Sequence, residues 1–222
     1  MKIARYYDSA VLKPDMKEED VIKAIQLSID LDSYTVCVRP CDIELAVKMC
    51  EGTDTKVSCV LDFPHGDAPA EAKAALAGIY AAKGVYEIDM VLNFGYVRSG
   101  KWDEVRKGIH GVVEASAAYG VGVKVIFETC YLTEEEIKKA TAICVEEGAK
   151  FVKTSTGFGT CGATPEAVQA MLEAADGKIE VKASGGIRNY ADARGYVDMG
   201  ATRLGVGYSS IEKICREESE AE

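Results

Sequence analysis

Five charged side chains stand inside short apolar, β-branched runs where charge is rare. They are Asp89 in EIDMVL, Lys124 and Glu128 in VKVIFE, Lys153 in FVKTST and Lys182 in VKAS. Strands buried on both faces read as continuous apolar runs, so a charge within one is informative. Lys124 falls early in its run and is expected to snorkel to the rim where the strands begin. Glu128 ends the same run. Asp89, Lys153 and Lys182 sit deeper. Each alone is equally well read as half of a structural ion pair. The three together point to chemistry. One carboxylate beside two amines leaves an amine without a counter-charge. Repulsion and desolvation then push one amine's pKa down. A lysine that is neutral near pH 7 attacks carbonyl groups and forms a Schiff base. A second lysine and an aspartate beside it move the protons.

The elements that must carry these residues alternate along the chain. Strand patterns cover Tyr6–Leu12, Ser33–Val38, Thr55–Leu61, Tyr86–Leu92, Val123–Glu128, Phe151–Ser155, Ile179–Ser184 and Thr202–Val206. Helical patterns follow each. The first runs from Asp15, a candidate N-cap, to Leu31. Others cover Ile43–Cys50, Pro69–Lys83 and Lys101–Tyr119. Thr133 and Glu136 form a capping box for a helix to Glu147. Thr164-Pro165 opens one ending at Ala175, with Pro at its first position. The last two are Ala191–Met199 and a helix beginning near Ser209. Eight strands interleaved with helices imply parallel βαβ units and a closed (β/α)8 TIM barrel of the α/β class, one domain over residues 1–222. Residues 211–222 read as a C-terminal helix with an acidic, frayed tail. An open doubly wound sheet is disfavoured, because Lys13-Pro14-Asp15 stands where a Gly-rich fingerprint would.

Barrel active sites lie at the C-terminal ends of the strands, with a recurrent phosphate site after strands seven and eight. Here those loops read ASGGIRN and GVGYSS, and ten of the 21 glycines fall between Gly157 and Gly207. Backbone N–H groups bare of side chains suit an anion there. Plain turns are the competing explanation.

Composition excludes other classes. The 222 residues carry a net charge of −10, so a nucleic-acid partner lacks its electrostatic footprint. No apolar stretch is long enough for a membrane span, and MKIARYYDSAVLKPD has no secretory h-region, which points to a cytoplasmic protein. The eight cysteines read as reduced and mostly buried, with Cys37, Cys59 and Cys144 as core thiols. No Cys-x-x-Cys pair occurs and His65 and His110 stand apart, so no metal or cofactor is expected. Phe94 and Trp102 are expected to pack at helix starts.

EIDMVLNFGYVRSGKWDEV, KVIFETCYLTEEEI, GAKFVKTSTGFGTCGAT, VKASGGIRNYADA and GATRLGVG, in this order, resemble the deoxyribose-phosphate aldolase family over nearly the whole chain. The resemblance implies a metal-free class I aldolase on a (β/α)8 barrel. Such enzymes cleave 2-deoxyribose 5-phosphate to acetaldehyde and glyceraldehyde 3-phosphate. It implies Lys153 as the Schiff-base lysine, Asp89 and Lys182 as proton relay, and Gly157, Gly185, Gly186 and Gly205 as the phosphate cradle. It further implies a homo-oligomer, a dimer or tetramer, acting on a small phosphorylated sugar.

Asp8, Cys37, Arg39 and Ser209 are candidate substrate contacts. The chain departs from the family pattern at Ala10, where the family has Thr. It departs again at Arg39 and Asp62, which end strands two and three, and at Val206–Tyr208 before Ser209-Ser210. Arg39 and Asp62 are expected to pair with each other, or Arg39 to meet an anionic group of a different substrate. Two other readings stay open: a Schiff-base aldolase for another phosphorylated or acidic sugar, and a ligand-binding barrel without turnover.

Overall fold

The computed structural model describes residues 2–221. The strands are β1 (Tyr7–Val11), β2 (Thr35–Val38), β3 (Lys56–Leu61), β4 (Glu87–Val91), β5 (Gly122–Ile126), β6 (Phe151–Lys153), β7 (Glu180–Ser184) and β8 (Arg203–Gly207). All pair in parallel and in chain order, and β8 returns to β1 to close a barrel. The helices are α1 (Glu18–Asp30), α2 (Ile43–Cys50), α3 (Ala70–Ala81), α4 (Phe94–Arg98), α5 (Trp102–Ala117), α6 (Glu134–Glu146), α7 (Pro165–Ala175), α8 (Tyr190–Met199) and α9 (Tyr208–Ala221). The (β/α)8 barrel expected from the sequence is the fold.

Side chains along a strand alternate between faces, and here the two faces carry different chemistry. Ile88 and Met90 of β4, Val123 and Val125 of β5 and Val181 and Ala183 of β7 join the apolar layer beneath the helices. Ile25, Ile109, Ile137, Val168 and Ile211 fill it from the helical side. The alternate residues Glu87, Asp89, Lys124 and Lys182 meet one another inside the barrel. The helices on the outer face thus leave the interior free for charge. Small residues set the helix spacing: a Cβ on Gly111 of α5 would lie 3.2 Å from Ala74 Cβ of α3.

Helix starts follow the sequence with two exceptions. Thr133 and Glu136 form the capping box, and the Thr164 side chain accepts the Ala167 N–H ahead of Pro165. Asp15 does not cap α1. The helix starts at Glu18 after Lys17, because the carbonyls of Lys13, Pro14 and Met16 are drawn to the Arg39 guanidinium. The five-residue α4 is too short for helical periodicity to reveal. The Asn93 side chain caps it by accepting the Tyr96 N–H.

The acidic tail is ordered, not frayed. α9 begins at Tyr208 and runs to Ala221, while Glu222 lies outside the described residues. The Glu217 carboxylate accepts the Tyr190 N–H at 2.7 Å and Glu218 accepts the Ile3 N–H at 2.8 Å. The tail therefore ties α8 and the start of the chain together. A chain ending at Arg216 is expected to lose about 1–3 kcal/mol through these charge-assisted bonds. An unchanged urea midpoint would contradict that.

Candidate active site

β6 ends at Lys153 and β7 carries Lys182 in register beside it. β4 places Asp89 across from both. Lys153 Nζ donates to Asp89 Oδ2 at 2.8 Å, and Lys182 Nζ donates to the same oxygen at 2.7 Å. Lys124 Nζ takes the other oxygen, Oδ1, at 2.7 Å. The carboxylate is thus shared by three amines.

Below it the ladder continues toward the strand starts. Lys124 also meets Glu87 at 2.7 Å and Asp8 at 3.2 Å. Lys182 contacts Asp8 as well. Arg203 bridges Asp8 and Glu87 at 2.7 and 2.8 Å, and its guanidinium lies over the Phe151 and Tyr34 rings. Lys150 closes the ladder on Glu87 at the rim. Lys124 therefore does not snorkel: it is fully buried, because three carboxylates inside the barrel compensate its charge better than the rim could. Glu87 and Arg203 were not legible as site residues. Each opens a strand, where charge is ordinary.

Counting charges separates the lysines. Asp8, Glu87 and Asp89 are three buried acids; Lys124, Lys182 and Arg203 are three buried cations. Lys153 is the fourth buried base of the ladder, and its one ion-pair partner among the described residues is Asp89. Burial pulls its amine below the ordinary lysine value; Lys182 pushes the same way and Asp89 opposes incompletely. Burial also works against charge on Lys182, but Asp8 and Asp89 outweigh it and hold that amine above the usual value. The carboxylates stay ionised: burial raises Asp89 and Asp8, and the surrounding cations more than reverse it. Environments that drive like groups apart in pKa are how one site holds both a nucleophile and a proton donor.

The amines open into a cavity of about 400 Å³ at the C-terminal end of the strands. Gly157, Gly185, Gly186 and Gly205 line it, as do Ala10, Tyr208 and Ser209 at the start of α9. Gly205 has a second reason to lack a side chain. A Cβ there would sit 2.5 Å from Ser184 Cβ and 3.2 Å from Lys182 Cε, so it would clash with the serine and crowd the lysine. Asp8 forms the floor, with its oxygens occupied by Lys182, Arg203, Lys124 and Thr35. Cys37 lines the cavity too; burial raises its thiol, which keeps it protonated.

Other candidates lie elsewhere. Arg39 does not line the cavity and does not pair with Asp62. Its Nε binds Asp42 at 2.6 Å, and its other nitrogens hold the carbonyls of the β1–α1 loop. Asp62 pairs instead with the buried Lys73 at 3.0 Å. Each charge has a nearer partner on its own side of the mouth. Of the eight reduced cysteines, Cys37, Cys50, Cys59 and Cys144 are buried; Cys41 and Cys161 are exposed, against the expectation that most would be interior. Phe94 packs on Tyr131 and Trp102 under Lys139, both at helix starts. Among the described residues no helix is long and apolar enough to cross a membrane.

A profile of the DeoC/LacD family of aldolases matches residues 3–216. The deoxyribose-phosphate aldolase of Caldanaerobacter subterraneus subsp. tengcongensis is 45% identical over 206 residues, covering 92% of this chain and 89% of that one. That of Thermococcus gammatolerans is 44% identical over 207 residues, 92% of each. Among solved structures, the aldolase QR15 superposes with a TM-score of 0.91 at 38% identity, over 98% of this chain and 96% of its own. The tetrameric deoxyribose phosphate aldolase of Aeropyrum pernix gives 0.90 at 30% identity, over 99% and 92%.

The shared ladder makes single neutralisations expensive. Lys124→Met leaves three buried acids short of a cation and is expected to cost about 3–5 kcal/mol in urea unfolding. A loss below the error of that measurement would mean that the ladder is solvated.

Proposed function

The chain belongs to the DeoC/LacD family of aldolases, and we propose that it reversibly cleaves 2-deoxy-D-ribose 5-phosphate to acetaldehyde and D-glyceraldehyde 3-phosphate through a Schiff base on Lys153. The observation that carries this reading is the buried amine of Lys153, which must share its one carboxylate partner, Asp89, with Lys182.

In the synthetic direction the neutral Lys153 amine adds to the acetaldehyde carbonyl, and the carbinolamine loses water to give a protonated imine. The imine draws electrons from the adjacent methyl, which gives up a proton and becomes the enamine carbon. That carbon bonds to the acceptor aldehyde carbon, whose oxygen takes a proton from the relay. Water then hydrolyses the imine and restores the amine. Cleavage runs the same steps backwards. Asp89 and Lys182 form the relay, holding the water that takes the methyl proton and gives one to the acceptor oxygen; Asp89 also orients both amines and balances the iminium charge.

Backbone N–H groups around Gly157, Gly185, Gly186 and Gly205, with the first turn of α9 at Ser209, supply the phosphate cradle in this reading. Ala10 and Tyr208 also line the cavity. They favour a second reading in which the same chemistry serves an acceptor of different shape. The Aeropyrum pernix structure supports a homo-oligomeric assembly, which light scattering tests.

Borohydride added with acetaldehyde is expected to trap one adduct, at Lys153, and Lys153→Leu to abolish it. Trapping elsewhere, or none, removes the proposal. A panel of sugar phosphates with acetaldehyde release as readout separates the two acceptor readings.

The pH dependence has a definite sign. Only the neutral amine condenses, so trapping rises with pH through the lowered Lys153 value, at lower pH than for an ordinary lysine of about 10.4. Lys182 helps to depress Lys153, so Lys182→Met is expected to move that rise to higher pH. Asp89 opposes that depression, so Asp89→Asn moves it lower, while turnover falls about 10²–10⁴-fold for want of proton transfer. Shifts of the two variants in the same direction would contradict this assignment.

A further inference from the structure

Glu128 follows β5, with φ 53° and ψ 63°, a left-handed backbone unusual for a side chain of its size. The neighbouring bonds hold it there: Phe127 N–H donates to Lys153 O and Thr129 N–H to Thr154 O, both at 3.0 Å. The bend turns the Glu128 carboxylate inward, where it is 2% exposed. It accepts the Thr156 N–H at 3.2 Å and also the Thr156 hydroxyl. A Cβ on Gly159 would come within 2.9 Å of Glu128 Cδ, so that glycine keeps the space open. The mechanism above gives Glu128 no role, yet it is built in from three sides.

The consequence falls on Thr156, which lines the same cavity as Lys153. A hydroxyl has one proton and two acceptor positions. The Thr156 hydroxyl donates that proton to Glu128 Oε2. One acceptor position takes the Phe158 N–H at 3.0 Å. One acceptor position remains for the cavity. We propose that Glu128 is a positioning residue that fixes the Thr156 proton, so that Thr156 meets substrate only as a hydrogen-bond acceptor and selects an acceptor aldehyde carrying a hydroxyl. The inference rests on the aldolase reading above. D-glyceraldehyde 3-phosphate has one hydroxyl, next to its aldehyde, which makes the donor unambiguous.

Fluorine in place of that hydroxyl keeps the size but cannot donate. The experiment measures kcat and KM in the synthetic direction for the hydroxyl and fluoro acceptors with acetaldehyde. Wild-type enzyme is expected to prefer the hydroxyl. In Glu128→Gln the amide donates to Thr156 Oγ, which turns the Thr156 proton toward the cavity. The hydroxyl-to-fluoro ratio of kcat/KM should then fall by about 10-fold or more, chiefly through KM of the hydroxylated acceptor. Thr156→Val should erase the preference and Thr156→Ser retain it.

Borohydride trapping of acetaldehyde on Lys153 needs no acceptor, so it reports an intact site separately. Absence of trapping in wild-type enzyme removes the aldolase reading itself. A Glu128→Gln enzyme that traps normally with an unchanged ratio overturns the role of Glu128. Should Glu128→Gln not trap, Glu128→Asp takes its place, because its shorter arm withdraws from Thr156. A fallen ratio in that variant supports the role of Glu128, and an unchanged ratio overturns it.

Discussion

One carboxylate organises this molecule. Asp89 holds Lys153 and Lys182 on one oxygen and Lys124 on the other, with all four side chains buried. At such burial each charge must be answered by another within bonding distance. Asp8 and Glu87 answer Lys124, Lys182 and Arg203, and the ladder extends until Lys150 reaches the rim. Of the four buried bases in the ladder, the one left over is Lys153, which lines the cavity. In the aldolase reading, the poise of Lys153 is thus a remainder of the charge balance, set in part by Glu87, Lys124 and Arg203, which do not line the cavity.

The fold was largely legible because its signals are local. Alternating strand and helix patterns, the Thr133 box and Thr164-Pro165 all act within a few residues. Asp89, Lys153 and Lys182 were legible because charge inside an apolar run is conspicuous. Lys124 was equally conspicuous but misplaced, because rim or interior depends on Glu87 and Asp8, both far along the chain. Arg39 and Asp62 looked complementary from adjacent strand ends. Their actual partners are Asp42, three carbonyls and Lys73, and loop backbone geometry is what decides between them. Thr156 lies in a conspicuous motif and Glu128 ends a conspicuous run, but their pairing depends on a backbone bend at Glu128 that no residue type announces.

The barrel divides labour between two faces of the same strands. Apolar residues such as Ile88, Val125 and Val181 bind the helices to the outside and supply the burial that holds the ring together. Their neighbours Glu87, Lys124 and Lys182 fill the inside with ions. The outer layer tolerates hydrophobic exchange of similar volume, whereas the inner layer couples every member to several others. Specificity can therefore drift at Ala10 or Tyr208 while the reacting groups stay fixed.

The seam between β8 and β1 has a kinetic consequence. Seven of the eight strand pairings join neighbours along the chain, each closing a loop of one βα unit. The eighth brings Tyr7 to Leu204 and so spans nearly the full length, which makes its loop-closure entropy the largest of the eight. Asp8 lies on one side of that seam, and Lys182 and Arg203 on the other. An assembly holding only the seven local pairings would have three of its cations, Lys124, Lys182 and Arg203, without Asp8. The ring closure that is entropically dearest is also the one that completes the electrostatics, so the last pairing to form is the one that gives these cations their shared acid.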